Sequence, residues 1–543
     1  MNGVQLLLVI ITAITVTGLA HRRGLQAPLV VVAVGLVASF VPGLPRLELP
    51  PEIILGIVLP PLLYSTALEF SIPGFVRNLG PILRLGVGLV VVSAFAVGGV
   101  ASLVVPGLGF GAALVLGAVV APPDAVTAVA IGRKLGVPKP VMTILTGESL
   151  VNDAAALTLF SVAVAGIAGT HNLLDDPVLF FGYSTLVGVG VGLVLGRAVH
   201  WIRTHLGDPG LETVLGLIVP FAAYLLAEEL HASGVLAVVL AGFTLGHGSA
   251  GSGYATRLQE RQVWRSLDVL LEAFVFAYMG LQLRFVIDDV IDQGEPLGQL
   301  FAAAGLVLLV VIAVRPTWVF LVFVSRLLLR RVSHRPLPAA TGTWKHNALI
   351  SWTGMRGVVT LAAASGVPLT TANGTPFPGR ANIQFVAFVV AVGTLMIQGI
   401  TLPRLVRWLA ISTLDEEAAE KSERQRALTI SRQAGRRAVE ELLADPPAGL
   451  DPALLRIMAD RVREAQEART AYLPGGDPAE REAAGTELAR ALTLMRKRML
   501  SAQRAALIDE RNEGTLDDAV LRDLLEQLDY EQAATSTGAP ARL

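Results

Sequence analysis

Gly147-Glu148-Ser149-Leu150-Val151-Asn152-Asp153 lies inside residues 141–168, an apolar stretch long enough to cross a bilayer as one helix. A carboxylate at the centre of a membrane helix costs roughly 2.5–3.5 kcal/mol on insertion scales, so two of them need partners or a task. Glu148, Ser149, Asn152 and Asp153 fall at i, i+1, i+4 and i+5. At about 100° per residue, Ser149 and Asp153 stack on one side of the helix, with Glu148 and Asn152 beside them. The result is an oxygen-rich patch suited to a small hard cation, a proton, or the two in competition.

The rest of the chain supports a membrane setting. Of 543 residues, 53% are hydrophobic and 16% charged, and mean hydropathy is +0.60. No soluble core needs so many apolar residues, so the composition reads as an all-α polytopic membrane protein. Charge divides the chain. Through Ala410 there are 24 Lys/Arg and 19 Asp/Glu, whereas the 133 residues after it hold 19 and 25. The first part reads as embedded and the second, 411–543, as a soluble tail. There is no cysteine, which excludes disulfides, thiolate metal sites and thiol catalysis. The first apolar run follows no positive segment and precedes no small-residue cleavage site, so it reads as a retained helix.

Thirteen candidate spans follow, near 4–20, 27–42, 52–70, 80–105, 109–131, 141–168, 178–200, 212–229, 232–247, 267–287, 297–325, 347–367 and 383–408. Loops after odd-numbered spans carry nineteen Lys/Arg and loops after even-numbered spans three. That asymmetry predicts an outside N-terminus and a cytoplasmic tail. Two basic residues, Arg315 and Arg356, fall within spans and are the natural counter-charges for the buried acids.

Two spans are interrupted. The fifth contains Ala121-Pro122-Pro123-Asp124, where two prolines remove two N–H donors and should break the helix near Asp124. The twelfth contains Gly354-Met355-Arg356-Gly357, whose glycines permit a second break. Spans four to six and eleven to thirteen then form two three-helix units of opposite orientation, each with its middle helix broken. Inverted repeats with broken helices crossing at the midplane are a transporter layout. Bland readings exist for each feature: a proline kink, a protonated structural Asp, a structural pair between Glu148 and Arg356. Asp153, Asp124 and Ser149 would need all of them at once.

Leu59-Pro60-Pro61-Leu62-Leu63, Pro122-Pro123-Asp124-Ala125-Val126, Gly147 to Asp153 and Gly354-Met355-Arg356-Gly357 together resemble the monovalent cation:proton antiporters. The likeness is to the Asn-Asp branch of the sodium/proton exchangers, in its bacterial form. It covers essentially the whole chain, and the tail stretch 507–518 resembles the tails of those members. The resemblance implies exchange of Na⁺, or of Li⁺ or K⁺, for H⁺ in a multi-pass cell-membrane protein. It implies a homodimer serving pH homeostasis, with no cofactor beyond the transported ions and no nucleic acid partner. Its implied layout assigns 1–79 and 171–296 to dimerisation helices, and 80–170 and 297–410 to a moving core.

Carried over residue by residue, Asp153 would bind Na⁺ or H⁺, with Asn152 as its partner. Asp124 and Ser149 would be further Na⁺ ligands, and Pro123 would lend its backbone carbonyl. Glu148 and Arg356 would pair within the core, with Arg315 as the alternative counter-charge. Many relatives carry an acid shortly after the Leu-Pro-Pro-Leu-Leu segment. This chain has Tyr64-Ser65-Thr66 there, so Ser65 or Thr66 would supply a neutral oxygen instead. Asn152 in place of a second Asp implies electroneutral one-for-one exchange by alternating access.

Other classes fare worse. An intramembrane aspartyl protease needs Gly-x-Gly-Asp in a span, and neither buried Asp has it. No His-Glu-x-x-His cluster or Gly-x-x-x-x-Gly-Lys-Ser/Thr phosphate loop occurs. The tail has apolar residues at helical spacing in 415–443, 451–472, 479–511 and 517–532, which predicts soluble helices. They would form either a solvated appendage or a regulatory or dimer-stabilising element.

Overall fold

Prolines and capping side chains set the ends of the long apolar helices. The computed structural model describes residues 3–42, 53–124, 136–169, 176–333, 343–411, 414–446 and 478–536, with the isolated positions 50, 132 and 456. It divides into two units. One comprises Met1–Gly248 with Glu260–Thr413, and the other Ser249–Gln259 with Leu414–Leu543.

In the first unit the helices are α1 (Gly3–Arg22), α2 (Ala27–Ala38), α3 (Leu59–Leu68), α4 (Leu79–Val104), α5 (Phe110–Val120), α6 (Lys139–Ala168), α7 (Pro177–Leu206), α8 (Pro209–Glu229) and α9 (Gly234–Gly248). They continue with α10 (Tyr254–Leu281, entering from the second unit), α11 (Leu283–Asp292), α12 (Leu297–Ser333), α13 (Trp344–Trp352), α14 (Val358–Ser365) and α15 (Arg380–Leu409). Nine helices among the described residues are long and apolar enough to cross a membrane, and the stretches 27–38, 54–68 and 110–120 are shorter apolar helices.

Local chemistry explains the boundaries. Asp176 accepts from the N–H groups of Val178 and Leu179, and Asp208 from that of Leu211, each just ahead of a proline at the first helical position. Such caps satisfy donors that a helix start leaves orphaned. Pro60 and Pro61 follow a widened π turn, Ile54–Val58, which makes room for rings that would strike the carbonyls four residues back.

One span differs from expectation, and the two interrupted spans break where the sequence indicates. The tenth starts earlier, at Tyr254, on one continuous helix that carries Arg257, Arg261 and Arg265. The twelfth is two short helices, α13 and α14, separated by the non-helical residues 353–357. The fifth stops at Val120, and its expected continuation through 125–131 lies outside the described residues.

Apolar packing holds α6 on two sides. Tyr64 and Ala67 of α3, Val219 and Ala223 of α8 and Phe243 of α9 pack with Leu150 and Ala154 of α6. A second cluster joins Leu116 and Val120 of α5 with Val311 of α12, Ala363 of α14 and Phe385 of α15. A buried ion pair, Arg203–Glu260 at 2.8 Å, ties α7 to α10, and a side chain at Gly216 of α8 would collide with both partners.

The second unit contains α16 (Leu414–Ala444), α17 (Pro478–Asn512) and α18 (Asp518–Ser536). They share a core of Val439, Leu442, Met495, Met499, Leu507, Leu521 and Leu525, which also takes in Ala250. The expected helix over 451–472 lies outside the described residues, apart from position 456. Asp529, 3% exposed, receives Arg257 at 2.5 Å and Arg504 at 3.0 Å. Arg257 also donates to the Ala250 carbonyl at 3.2 Å. Burial lowers the Arg504 pKa, and the Asp529 carboxylate opposes that shift.

Candidate ion-binding site

The site is built where the two broken helices meet α6. Pro122 and Pro123 end α5, and the chain turns so that the Asp124 N–H donates to the Met355 carbonyl at 2.6 Å. That bond joins one break to the other. The Asp124 carboxylate packs on Gly357, where any Cβ would overlap it. Asp124 therefore lies at the start of α14, the positive end of a half-helix, which favours an anion.

From α6, the Asn152 side-chain amide donates to the Pro123 carbonyl at 2.7 Å. Asp153 follows Asn152 as Asp124 follows Pro123, so this one bond brings the Asn-Asp pair to the Pro-Asp pair. Glu148, Ser149, Asn152 and Asp153 are all buried. Asn152 Oδ1 is buried without a hydrogen-bond partner among the described residues. Asp153 has no salt-bridge partner among the described residues. The Pro123 carbonyl keeps a second lone pair beyond the one used by Asn152.

The arginines differ from expectation. Glu148 pairs with Arg315, not with Arg356. Arg315 grips the carboxylate with both terminal nitrogens, Nη2 to Oε2 at 2.8 Å, and its Nε donates to the Ile350 carbonyl at 2.8 Å. Arg356 instead bonds carbonyls: Nε to Val120 at 2.9 Å, Nη2 to Ala121 at 3.3 Å, and Nη1 to Gly354. The physical reason is the break itself. A helix that stops inside a protein leaves its last carbonyls unpaired and its C-terminal end negative, and a buried guanidinium satisfies both. Arg356 serves the end of α5 and Arg315 the end of α13.

Ser65 and Thr66 both donate to the Leu62 carbonyl at 3.0 Å, on their own helix, and no described hydrogen bond joins them to the site. Ser149 is buried one turn before Asp153. Sequence reasoning passed over Thr394, whose hydroxyl receives the Arg356 N–H at 2.9 Å. A polar residue within an apolar span was its only signal.

Broken apolar helices around a buried carboxylate that has no salt-bridge partner among the described residues fit an ion transporter of the antiporter type. Residues 7–408 match the family model described as sodium/hydrogen exchanger, transmembrane, and the chain belongs to that family, whose members are secondary transporters and not enzymes. It is 33% identical to a Mycobacterium tuberculosis protein named an uncharacterized Na⁺/H⁺ exchanger, over 98% of this chain and 96% of that one. It is 30% identical to the Na⁺/H⁺ antiporter ApNhaP of Aphanothece halophytica, over 78% and 77% of the two chains. Among solved structures, the sodium proton antiporter MjNhaP1 of Methanocaldococcus jannaschii shares the fold, with a TM-score of 0.55 at 20% identity over 74% of this chain and 95% of that one.

Proposed function

We propose that this chain exchanges Na⁺ for H⁺ by competition at Asp153. The observation that carries this reading is a buried carboxylate with no arginine or lysine partner among the described residues, beside an Asn152 oxygen that has no partner among them either. Such a carboxylate accepts either a proton or a dehydrated cation. Ser149, Asp124 and the Pro123 carbonyl complete the ligand set. Glu148 is neutralised by Arg315, and the α14 start compensates Asp124, so one charge is left to exchange. The sodium reading is favoured over potassium by the family description and by ApNhaP. A Bacillus pumilus relative, 30% identical over 70% of this chain and 58% of its own length, is named for sodium, potassium, lithium and rubidium.

The same reading has thirteen spans: the nine long helices, the three short apolar ones and the broken pair α13–α14. Spans four to six and eleven to thirteen form inverted repeats. The core, 80–170 and 297–410, moves against dimerisation helices in 1–79 and 171–296 of a homodimer in the cell membrane. The N-terminus is outside, the tail cytoplasmic, exchange is electroneutral, and the role is pH homeostasis. Purified protein in sealed proteoliposomes, with proton flux recorded across Na⁺, Li⁺, K⁺ and Rb⁺, tests it. Cation-dependent flux, strongest with Na⁺ or Li⁺, is expected. No cation-dependent flux would overturn it.

A further inference from the structure

Thr360 is the third residue of α14 and 1% exposed, and its hydroxyl has no hydrogen-bond partner among the described residues. Similarly buried threonines behave differently. Thr158, Thr353 and Thr394 each donate to a carbonyl three or four residues back, at 2.8, 3.0 and 3.2 Å. Thr360 makes no such bond. Three and four residues back lie Gly357 and Arg356, before the first residue of the helix, and Gly357 is extended at φ −128°, ψ −152°.

An unpaired buried hydroxyl is costly, so a position that keeps one invites a partner that comes and goes. Its place in the fold indicates which partner. Positions 357 and 360 stack on the same side at the start of the helix. Gly357 is the residue against which the Asp124 carboxylate packs. The other free oxygen of the site, Asn152 Oδ1, belongs to the residue that bonds Pro123, next to Asp124. Two oxygens without a partner among the described residues, on two helices, thus belong to residues one turn from Gly357 and next to Asp153.

We propose that the Thr360 hydroxyl is a further ligand of the transported cation, on the Asp124 side of the site. It supplies a neutral oxygen in place of a shed water and tunes selectivity toward small ions. The inference rests on the exchange reading above. A ligand fixed on a half-helix start holds a short metal–oxygen distance, so Na⁺ and Li⁺ gain more from it than K⁺.

Thr360→Val removes the hydroxyl at nearly constant volume, and Thr360→Ser keeps it. In proteoliposomes, Thr360→Val should raise the KM for Na⁺ and Li⁺ by about fivefold or more, as loss of one hydrogen-bond-scale contact predicts. The KM for K⁺ should move less, and Thr360→Ser should stay near wild type. A second readout is the rise in melting temperature caused by Na⁺, which should shrink in Thr360→Val while melting without Na⁺ holds. Unchanged KM values for all three cations in Thr360→Val would overturn the proposal. So would equal impairment of both variants with lowered melting, which marks a packing role. Absence of flux in the wild type would instead overturn the exchange reading on which it rests.

Discussion

Arg315 reaches across from α12 to hold Glu148 of α6 with both terminal nitrogens, while its Nε caps the Ile350 carbonyl of α13. One side chain thus joins α6, its own helix and a half-helix end. The pair is almost completely buried, at 2% side-chain exposure on each partner.

Breaking one partner of such a pair costs about 3–5 kcal/mol, because the other is left as an uncompensated buried charge. Arg315→Ala and Glu148→Ala should therefore melt well below wild type in detergent. The joint replacement Glu148→Gln with Arg315→Met should recover part of that loss. Melting unchanged in both single variants would contradict the structural role.

Asp153→Asn should abolish exchange and leave a folded protein, since Asn is nearly isosteric and cannot titrate. Asp124→Asn should be similarly damaging, because its carboxylate lies at the meeting point of the two breaks. Proton flux driven by Na⁺ in purified Asp153→Asn would remove Asp153 from the ligand set.

Gly216→Ala tests a close approach. The added Cβ would run into Arg203 and Glu260, and overpacking of this kind typically costs about 1–3 kcal/mol. Reduced thermal stability is expected, and Glu260→Ala in the same background should add less than it does alone. Additive losses would show that Gly216 and the pair do not share a strain.

In the second unit, Asp529→Ala leaves Arg257 and Arg504 without their shared carboxylate. The packing of α16, α17 and α18 should loosen, read as faster proteolysis within 414–536 of the full chain. An unchanged cleavage rate would argue that the loop carbonyls alone suffice for Arg257.

The acids of the site are legible in the sequence because a charge in a membrane helix is conspicuous by its cost alone. The break at Pro122-Pro123 is legible for a similar reason: two missing N–H donors cannot continue a helix. The choice between Arg315 and Arg356 is not. Sequence places both charges in spans, but which carbonyls a broken helix leaves exposed depends on how α5 and α13 cross. Thr360 escapes notice likewise, since a threonine in an apolar helix ordinarily bonds its own preceding turn. At Thr360, three residues into α14, that bond is not made.

Electroneutral exchange is the prediction that most directly tests the charge arrangement. Arg315 pairs with Glu148, Arg356 donates to carbonyls at the end of α5, and Asn152 carries no charge. One proton should then trade for one Na⁺ at Asp153. An imposed membrane potential should neither drive nor stop exchange in proteoliposomes under matched ion gradients. Flux whose reversal point follows the potential would require a second proton per cycle. Asp124 would be the first group to examine, since its carboxylate is the other acid at the meeting of the breaks. Asp124→Asn would then shift the reversal point, whereas Glu148→Gln, already compensated by Arg315, would leave it in place.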